Sequence, residues 1–481
     1  MEYRTARELA AALRSRKMSS TELVEQTIKN IERGDGAINA VVVRDFERAR
    51  EAARAADAQL KKGSTLPLLG VAMTVKESFH VAGLPTTWGL FGTEKIPVTD
   101  DALVVARLKA VGAVIVGKTN VALMLADWQS ANPVYGVTNN PYDVSRTCGG
   151  SSGGGAAALA AGFVPLEFGS DMASSLRAPA HFCGVYAHKP SYGIVPQRGF
   201  APPGAPPDGP AIDMSVLGPM ARSAGDLALA LEATAGPDER EATGWRLALA
   251  PPRHAALKEH RVLVLDRHPL IPTSEEIASA IAKRAQALER AGCKIGYADP
   301  SLPDLRAIAA LFIERLMALF SANTSDAEFA QARAAADAMS RDADPMASAV
   351  IRGPALSHRD WLLANRMRFA LAQQWRKLFE TWDIVLCPAM PVNAYRHIAP
   401  GDRKRPLDVD GKPLAYEAQA MWGTLATLTG NPATAAPIGL SRDGLPIGVQ
   451  FIGPLYEDRT TIKFAELMEH EFGGFIPPTS R

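Results

Sequence analysis

The sequence predicts an α/β fold, and three observations carry that prediction. Short apolar runs of strand length alternate with stretches of helical period. Glycines and prolines fall at the joints between them, where the chain must turn. The 481 residues, 47% of them hydrophobic, are enough for one large or two ordinary domains around a substantial core. In chain order, residues 5–32 show helical periodicity through Leu9, Leu13, Leu23, Ile28 and Ile31, with Ser19, Ser20 and Thr21 as N-caps between two helices. Leu66 to Val75 reads as a buried strand that presents Lys76 at its end. Asp100 caps a helix running to Val111, Gly112 ends it, and Ala113 to Val116 forms the next strand. The small apolar run from Gly153 to Gly162 reads as a buried helix. Residues 199–210, with Gly199, Pro202, Pro203, Gly204, Pro206, Pro207, Gly209 and Pro210, form an irregular loop that no sheet could hold.

From about residue 236 the composition shifts. Val262 to Leu265 is a strand, Ser274 to Ala291 a helix, and Lys294 to Tyr297 a second short strand. Residues 301–380 are largely helical; the stripe Leu311, Phe312, Leu316, Met317 and Phe320 is core or pocket lining rather than a cofactor box. Apolar strands return at Ile384 to Leu386 and Val449 to Ile452.

Composition narrows the function. A net charge of +1 gives no footprint for nucleic acid or an anionic membrane. The nine histidines are scattered, with no His-Glu-x-x-His motif and no Cys-x-x-Cys pair, so neither metal nor cofactor is expected. Cys148, Cys183, Cys293 and Cys387 are widely spaced and read as reduced thiols of a cytoplasmic protein. The N-terminus reads as an amphipathic helix rather than a signal peptide, and no apolar run has the length of a membrane span. Gly112 to Thr119 satisfies the Gly-x4-Gly-Lys-Thr pattern of a phosphate loop, but its x residues are Ala-Val-Ile-Val, which belong in a strand.

The chemistry concentrates in three segments. Ser151 lies in Cys148-Gly-Gly-Ser-Ser-Gly-Gly-Gly155, Ser175 in Gly169-Ser-Asp-Met-Ala-Ser-Ser-Leu-Arg177, and Lys76 in Val71-Ala-Met-Thr-Val-Lys-Glu-Ser78. Serine is a weak nucleophile until a base lies within hydrogen-bond reach, and a desolvated lysine is such a base. Taken singly, each has an ordinary reading as a turn serine or a snorkelling lysine. Together they resemble the amidase signature family, whose hallmark is a lysine, a cis-serine and a nucleophilic serine in this order. The likeness extends through Ser20-Thr-Glu-Leu23, Gly83-Leu-Pro-Thr-Thr87, Val116-Gly-Lys-Thr-Asn120, Asn139-Asn-Pro-Tyr-Asp143, Gly218-Pro-Met-Ala-Arg-Ser223 and Gly444-Leu-Pro-Ile-Gly-Val-Gln450.

The resemblance implies a central mixed β-sheet flanked by helices, with a largely helical insert over the active site. Residues 1–235 and 381–481 would form the two parts of the core, and 236–380 the variable, substrate-shaping insert. It implies Ser175 as nucleophile, Ser151 as proton relay and Lys76 as base, with Ser152, Asp171 and Arg177 in support. The backbone N–H groups of Met172, Ala173, Ser174 and Ser175 would form the oxyanion hole. The chain departs from the family here, since Ala173 and Ser174 replace glycines, and Ser174 is strained if its position needs φ > 0. Trp128, Phe200, Phe312, Met317 and Trp422 are pocket candidates that suit an apolar or aromatic group on a small-molecule amide, aryl amide or carbamate. A monomer or homodimer hydrolysing such an amide is the expectation. Two alternatives stand beside it: the glutaminase subunit of a tRNA-dependent amidotransferase, and a catalytically impaired binding protein on the same fold. Against the first, Ala178-Pro179 follows Arg177 where that subfamily places Gln-Pro.

Overall fold

The structure is a computed structural model that describes residues 3–340, 342–399, 402 and 404–479. Its frame is an eleven-stranded mixed sheet. The strands are β1 Val41–Arg44, β2 Ala72–Lys76, β3 Val114–Thr119, β4 Leu166–Asp171, β5 Tyr186–Lys189, β6 Val216–Ala221, β7 Arg261–Val264, β8 Lys294–Gly296, β9 Ile384–Pro388, β10 Ala433–Leu440 and β11 Pro446–Ile452. Their order across the sheet is β1-β3-β2-β4-β6-β5-β10-β11-β9-β7-β8. β3, β2 and β4 run parallel at one side, β9, β7 and β8 run parallel at the other, and antiparallel pairs join them through the middle.

The first helices are α1 Ala6–Arg14 and α2 Ser20–Ile38, each opened by a capping box, Thr5 with Glu8 and Ser19 with Glu22. The cap expected among residues 19–21 is therefore Ser19. α3 Phe46–Lys61 follows, then α4 Leu103–Ala110. Asp100 does not cap α4, contrary to expectation: its carboxylate accepts from Thr99 Oγ1 at 2.7 Å. The amides of Ala102 and Leu103 donate instead to the carbonyls of His80 and Arg198, so neighbouring loops take over the cap's work. The strand expected over Leu66 to Val75 is regular only from Ala72. Before it the chain turns, with Leu69 N–H on Leu66 O and Gly70 at φ +80°.

β3 runs on through Gly117, Lys118 and Thr119, so the apparent phosphate loop is a buried strand. Lys118 Nζ donates to Thr86 Oγ1 at 2.9 Å and to the Pro85 carbonyl, and lies 4.0 Å from Glu77. α5 Gly153–Ala160 is fully buried. Its glycines serve close packing: a Cβ on Gly154 would lie 2.3 Å from Asn120 N, and one on Gly155 would lie 2.6 Å from the Glu167 side chain. α6 Arg177–Cys183 and α7 Ala224–Thr234 complete the first part of the chain.

The segment after residue 236 contributes β7 and β8 to the same sheet, with α8 Glu275–Arg290 between them. Ser274 caps α8 by accepting from Glu276 N–H. Then come α9 Leu305–Ser321, α10 Asp326–Ala338, α11 Pro345–Arg352 and α12 His358–Thr381. α9 packs on α13 Met421–Thr427, which precedes β10, and α14 Asp458–Phe472 closes the chain against α7. One apolar cluster unites α1, α7, α14 and the sheet through residues such as Leu13, Leu231 and Phe464. A second unites α9, α12 and α13 through Phe312, Trp375 and Trp422. No helix among the described residues is long and apolar enough to cross a membrane. The four cysteines are buried and free.

Candidate active site

Parallel neighbours β2 and β4 are in register at Thr74 with Glu167 and Val75 with Phe168, so both strands deliver their last residues, Lys76 and Asp171, to one edge of the sheet. The turn entering α5 brings Ser151 and Ser152 to that edge. Lys76 Nζ lies 2.7 Å from Ser151 Oγ and 2.9 Å from Ser170 Oγ. The lysine is wholly buried, and loss of hydration disfavours its charge. Burial lowers its pKa from 10.5 to about 7, against the opposing pull of Asp171 and Glu167. Glu167 is raised to about 8 by burial, although the hydroxyls of Thr74 and Thr119 donate to it.

The Gly150–Ser151 peptide bond is cis. Ser130 fixes this turn, donating from Oγ to Gly149 O at 3.0 Å and accepting from Gly153 N–H at 2.9 Å. Ser152 acts differently, as its N–H donates to the Ser175 carbonyl at 3.1 Å and its Oγ to the Ser170 carbonyl at 3.2 Å. These bonds join the two serine segments. Ser151 is 1% exposed and Ser175 is 9% exposed, so both are buried and Ser175 is the more accessible of the two. No hydrogen bond joins their hydroxyls among the described residues.

Asp171 organises the turn that follows. It accepts from the N–H groups of Ser174 at 3.0 Å, Leu176 at 3.0 Å and Arg177 at 3.3 Å. Burial raises its pKa, but Arg177 and the Leu176 N–H outweigh that and hold it below the ordinary value. Arg177 is also fully buried, and all five of its side-chain N–H groups are engaged. They reach both Asp171 oxygens, Gly423 O at 3.0 Å, Gln450 Oε1 at 2.8 Å and Thr427 Oγ1 at 2.9 Å. The pair expected to be structural is a fully desolvated clamp between the turn and α13.

The oxyanion expectation changes in one respect. Ser174 N–H is committed to Asp171, whereas Met172, Ala173 and Ser175 have amides with no hydrogen-bond partner among the described residues. Three of the four expected donors are therefore unengaged, and Ala173 and Ser175 are the two adjacent to Ser174. Ser174 does occupy the left-handed region, at φ +72°, the condition under which a serine in place of glycine is strained. That conformation costs about 1–2 kcal/mol for a residue with a Cβ. Its buried hydroxyl has no hydrogen-bond partner among the described residues, a further cost of about 1–3 kcal/mol.

Four of the five pocket candidates belong to or pack on one apolar cluster. Trp128 donates from Nε1 to Ala173 O at 2.8 Å, and packs with Met172, Ala173 and Met317 on the cluster that contains Phe312 and Trp422. Phe312 and Trp422 are fully buried, while Trp128 and Met317 keep some exposure. Phe200 belongs elsewhere: it packs on Phe79 and Trp88, with ring centroids 5.5 and 5.0 Å away, in the cluster on α1 and α7. The proline loop thus seals that core.

Neither buried histidine near the turn is available as a base. His181 lies between the Gly448 and Val392 backbones, and burial lowers it to about 4. His188 is held by Thr434 and Asp458. No group of three or more metal-ligating side chains occurs among the described residues. Sequence reasoning missed Ser170 as the second contact of Lys76, and missed Gly423, Thr427 and Gln450 as the far side of the Arg177 clamp. Ser170 could have been found, since β4 must carry it beside Asp171; the others lie some 250 residues away, and although Gln450 closes the Gly444–Gln450 block, nothing local ties it, Gly423 or Thr427 to Arg177.

The family profile described as Amidase matches residues 22–462. The chain belongs to that family. It is 33% identical to a glutamyl-tRNA(Gln) amidotransferase subunit of Anaeromyxobacter sp. (strain K), over 98% of this chain and 97% of that one. Among solved structures, 6-aminohexanoate cyclic dimer hydrolase complexed with substrate matches with a TM-score of 0.76 and 26% identity, over 98% of this chain and 97% of that one. A bacterial aryl acylamidase of the amidase signature family shares the fold, with a TM-score of 0.80 at 24% identity, over 98% of this chain and 96% of that one. The expected α/β amidase-signature fold is therefore the observed one, and the protein is an amide-hydrolysing enzyme.

Proposed function

We propose that this amidase hydrolyses a small, neutral carboxylic amide, aryl amides and carbamates included, through an acyl-enzyme on Ser175. The observation that carries the reading is the buried contact of Lys76 Nζ with Ser151 Oγ at 2.7 Å, with the lysine's pKa lowered to about 7, so that about half of it is neutral at pH 7. In the first step neutral Lys76 accepts the Ser151 proton while Ser151 accepts that of Ser175, whose oxygen attacks the carbonyl carbon. The tetrahedral oxyanion is met by the unengaged N–H groups of the turn, Ala173 and Ser175 among them. As it collapses, the C–N bond breaks and the relayed proton returns through Ser151 to the departing amine. Water then gives a proton to the same relay and attacks the acyl carbon; the ester C–O bond breaks and the relay returns that proton to the Ser175 oxygen. Trp128, hydrogen-bonded to Ala173 O, and Met172 put apolar surface beside the Ser175 turn, which favours an uncharged group near the scissile bond.

A second reading, glutamine hydrolysis as in the glutaminase of an amidotransferase, has the 33% identical relative in its favour. Amine release measured over anilides, aliphatic amides, carbamates and glutamine separates the two. The proposal expects the largest kcat/KM on a neutral amide or carbamate of apolar character. Selective turnover of glutamine would replace it with the second reading.

A further inference from the structure

We propose that Gly423 is a positioning residue for the oxyanion turn, and that it and Ser174 function as a matched pair; this rests on the reading of that turn given above. α13 brings the Gly423 backbone against the Ser174 side chain. A Cβ built on Gly423 would lie 1.9 Å from Ser174 Oγ, 3.1 Å from its Cβ and 3.4 Å from its N. The serine hydroxyl fills the space that any side chain at 423 would need.

The Ser174 hydroxyl has no hydrogen-bond partner among the described residues and can turn about χ1, but turning it leaves the 3.1 Å approach to the Ser174 Cβ and the 3.4 Å approach to its N, and the two backbones are held. Gly423 O accepts from Arg177 Nη1 at 3.0 Å, and Trp422 beside it is fixed by Thr273 on its Nε1 at 3.1 Å and by Gln450 Nε2 on its carbonyl at 2.9 Å. Ser174 is held by its N–H on Asp171 and by its carbonyl, which accepts from Ala178 N–H at 2.7 Å. Asp171 is bound to Arg177, so the contact closes a ring: Ser174, Asp171, Arg177, Gly423 and back to Ser174. The amides of Ala173 and Ser175 flank Ser174 in that ring. A push on Ser174 from α13 therefore turns two of the N–H groups that would meet the oxyanion, without touching the Lys76 to Ser151 contact. A serine at 174 in place of glycine is tolerated because position 423 has no side chain.

The test is a cycle of Gly423→Ala, Ser174→Gly and the double variant, on the full chain. Gly423→Ala is expected to lower kcat at least about tenfold with KM changed less than about threefold, because oxyanion contacts mature in the transition state. In the Ser174→Gly background the clash is gone, and Gly423→Ala should lower kcat less than about threefold. A Gly423→Ala enzyme as active as wild type, or equal losses in both backgrounds, would overturn the pairing. Thermal unfolding reads the same contact without substrate: Gly423→Ala should be less stable than wild type, and in the Ser174→Gly background it should cost little. If Gly423→Ala is insoluble, the double variant must still fold, and its failure would refute the pairing. A wild type that releases amine from no amide would sink the catalytic reading, while the unfolding cycle would still decide the contact.

Discussion

Lowering the pH should switch this enzyme off through a single buried amine. Lys76 is the base of the proposed relay, and desolvation brings its pKa from 10.5 to about 7. Its active form is the neutral one, so activity is retained above that value and lost as pH falls through it. The neutral fraction falls to about a tenth at pH 6 and about a hundredth at pH 5, which should appear as one decade in kcat/KM per pH unit. Glu167 lies in the field of Lys76 and is itself raised to about 8, so the apparent value belongs to the coupled pair. The assay is kcat/KM from about pH 5 to about pH 11 on an anilide whose own groups do not titrate there. An inflection near pH 7 that disappears in Lys76→Ala is the expected result. A flat profile, or one rising only above pH 9 as an ordinary lysine would give, would refute the desolvation argument.

Ser175→Ala should lower turnover by at least about 10³-fold with thermal unfolding unchanged, since the covalent route is removed; turnover within tenfold of wild type would reassign the nucleophile. Lys76→Ala and Ser151→Ala should each be severe, and the double variant little worse than either, because a relay acts as a unit. Multiplicative losses would mean the two do not share one proton path. Arg177→Met leaves the Asp171 carboxylate buried and unpaired and removes the bonds to Gly423, Gln450 and Thr427, so denaturant unfolding should show a loss of about 3–5 kcal/mol. A loss below about 1 kcal/mol would mean that the clamp relaxes onto water.

The sequence was most informative where function and local structure coincide. The placement of Lys76 at the end of an apolar strand, Ser151 before a small-residue helix and Ser175 after Asp171 is readable, because each sits at a strand end or turn with its own local pattern. The apolar Ala-Val-Ile-Val run was also sufficient to read Ala113 to Val116 as strand rather than phosphate loop, though not its continuation to Thr119. What stayed hidden depends on distant contacts. Asp100 looked like a cap, but the first amides of α4 are taken by carbonyls of other loops. Phe200 looked like pocket lining, yet it fills a core that the sequence does not show converging on it. The assignment of the Ser174 amide to Asp171 follows from a left-handed turn whose hydrogen bonds no periodicity encodes. Gly423 gave no sign of its role, because its fit to Ser174 arises only when α13 packs against the turn.

The central claim is that Ser175 carries the acyl group, and the direct measurement is the site of covalent capture. The enzyme is treated with a serine-directed sulfonyl fluoride, digested, and sequenced by mass spectrometry while residual amidase activity is followed. The account predicts one adduct per chain, on Ser175, formed in step with loss of activity and absent from Ser175→Ala. An adduct on Ser151, Ser152 or Ser174 that tracks inactivation, or full inactivation with Ser175 unmodified, would contradict it.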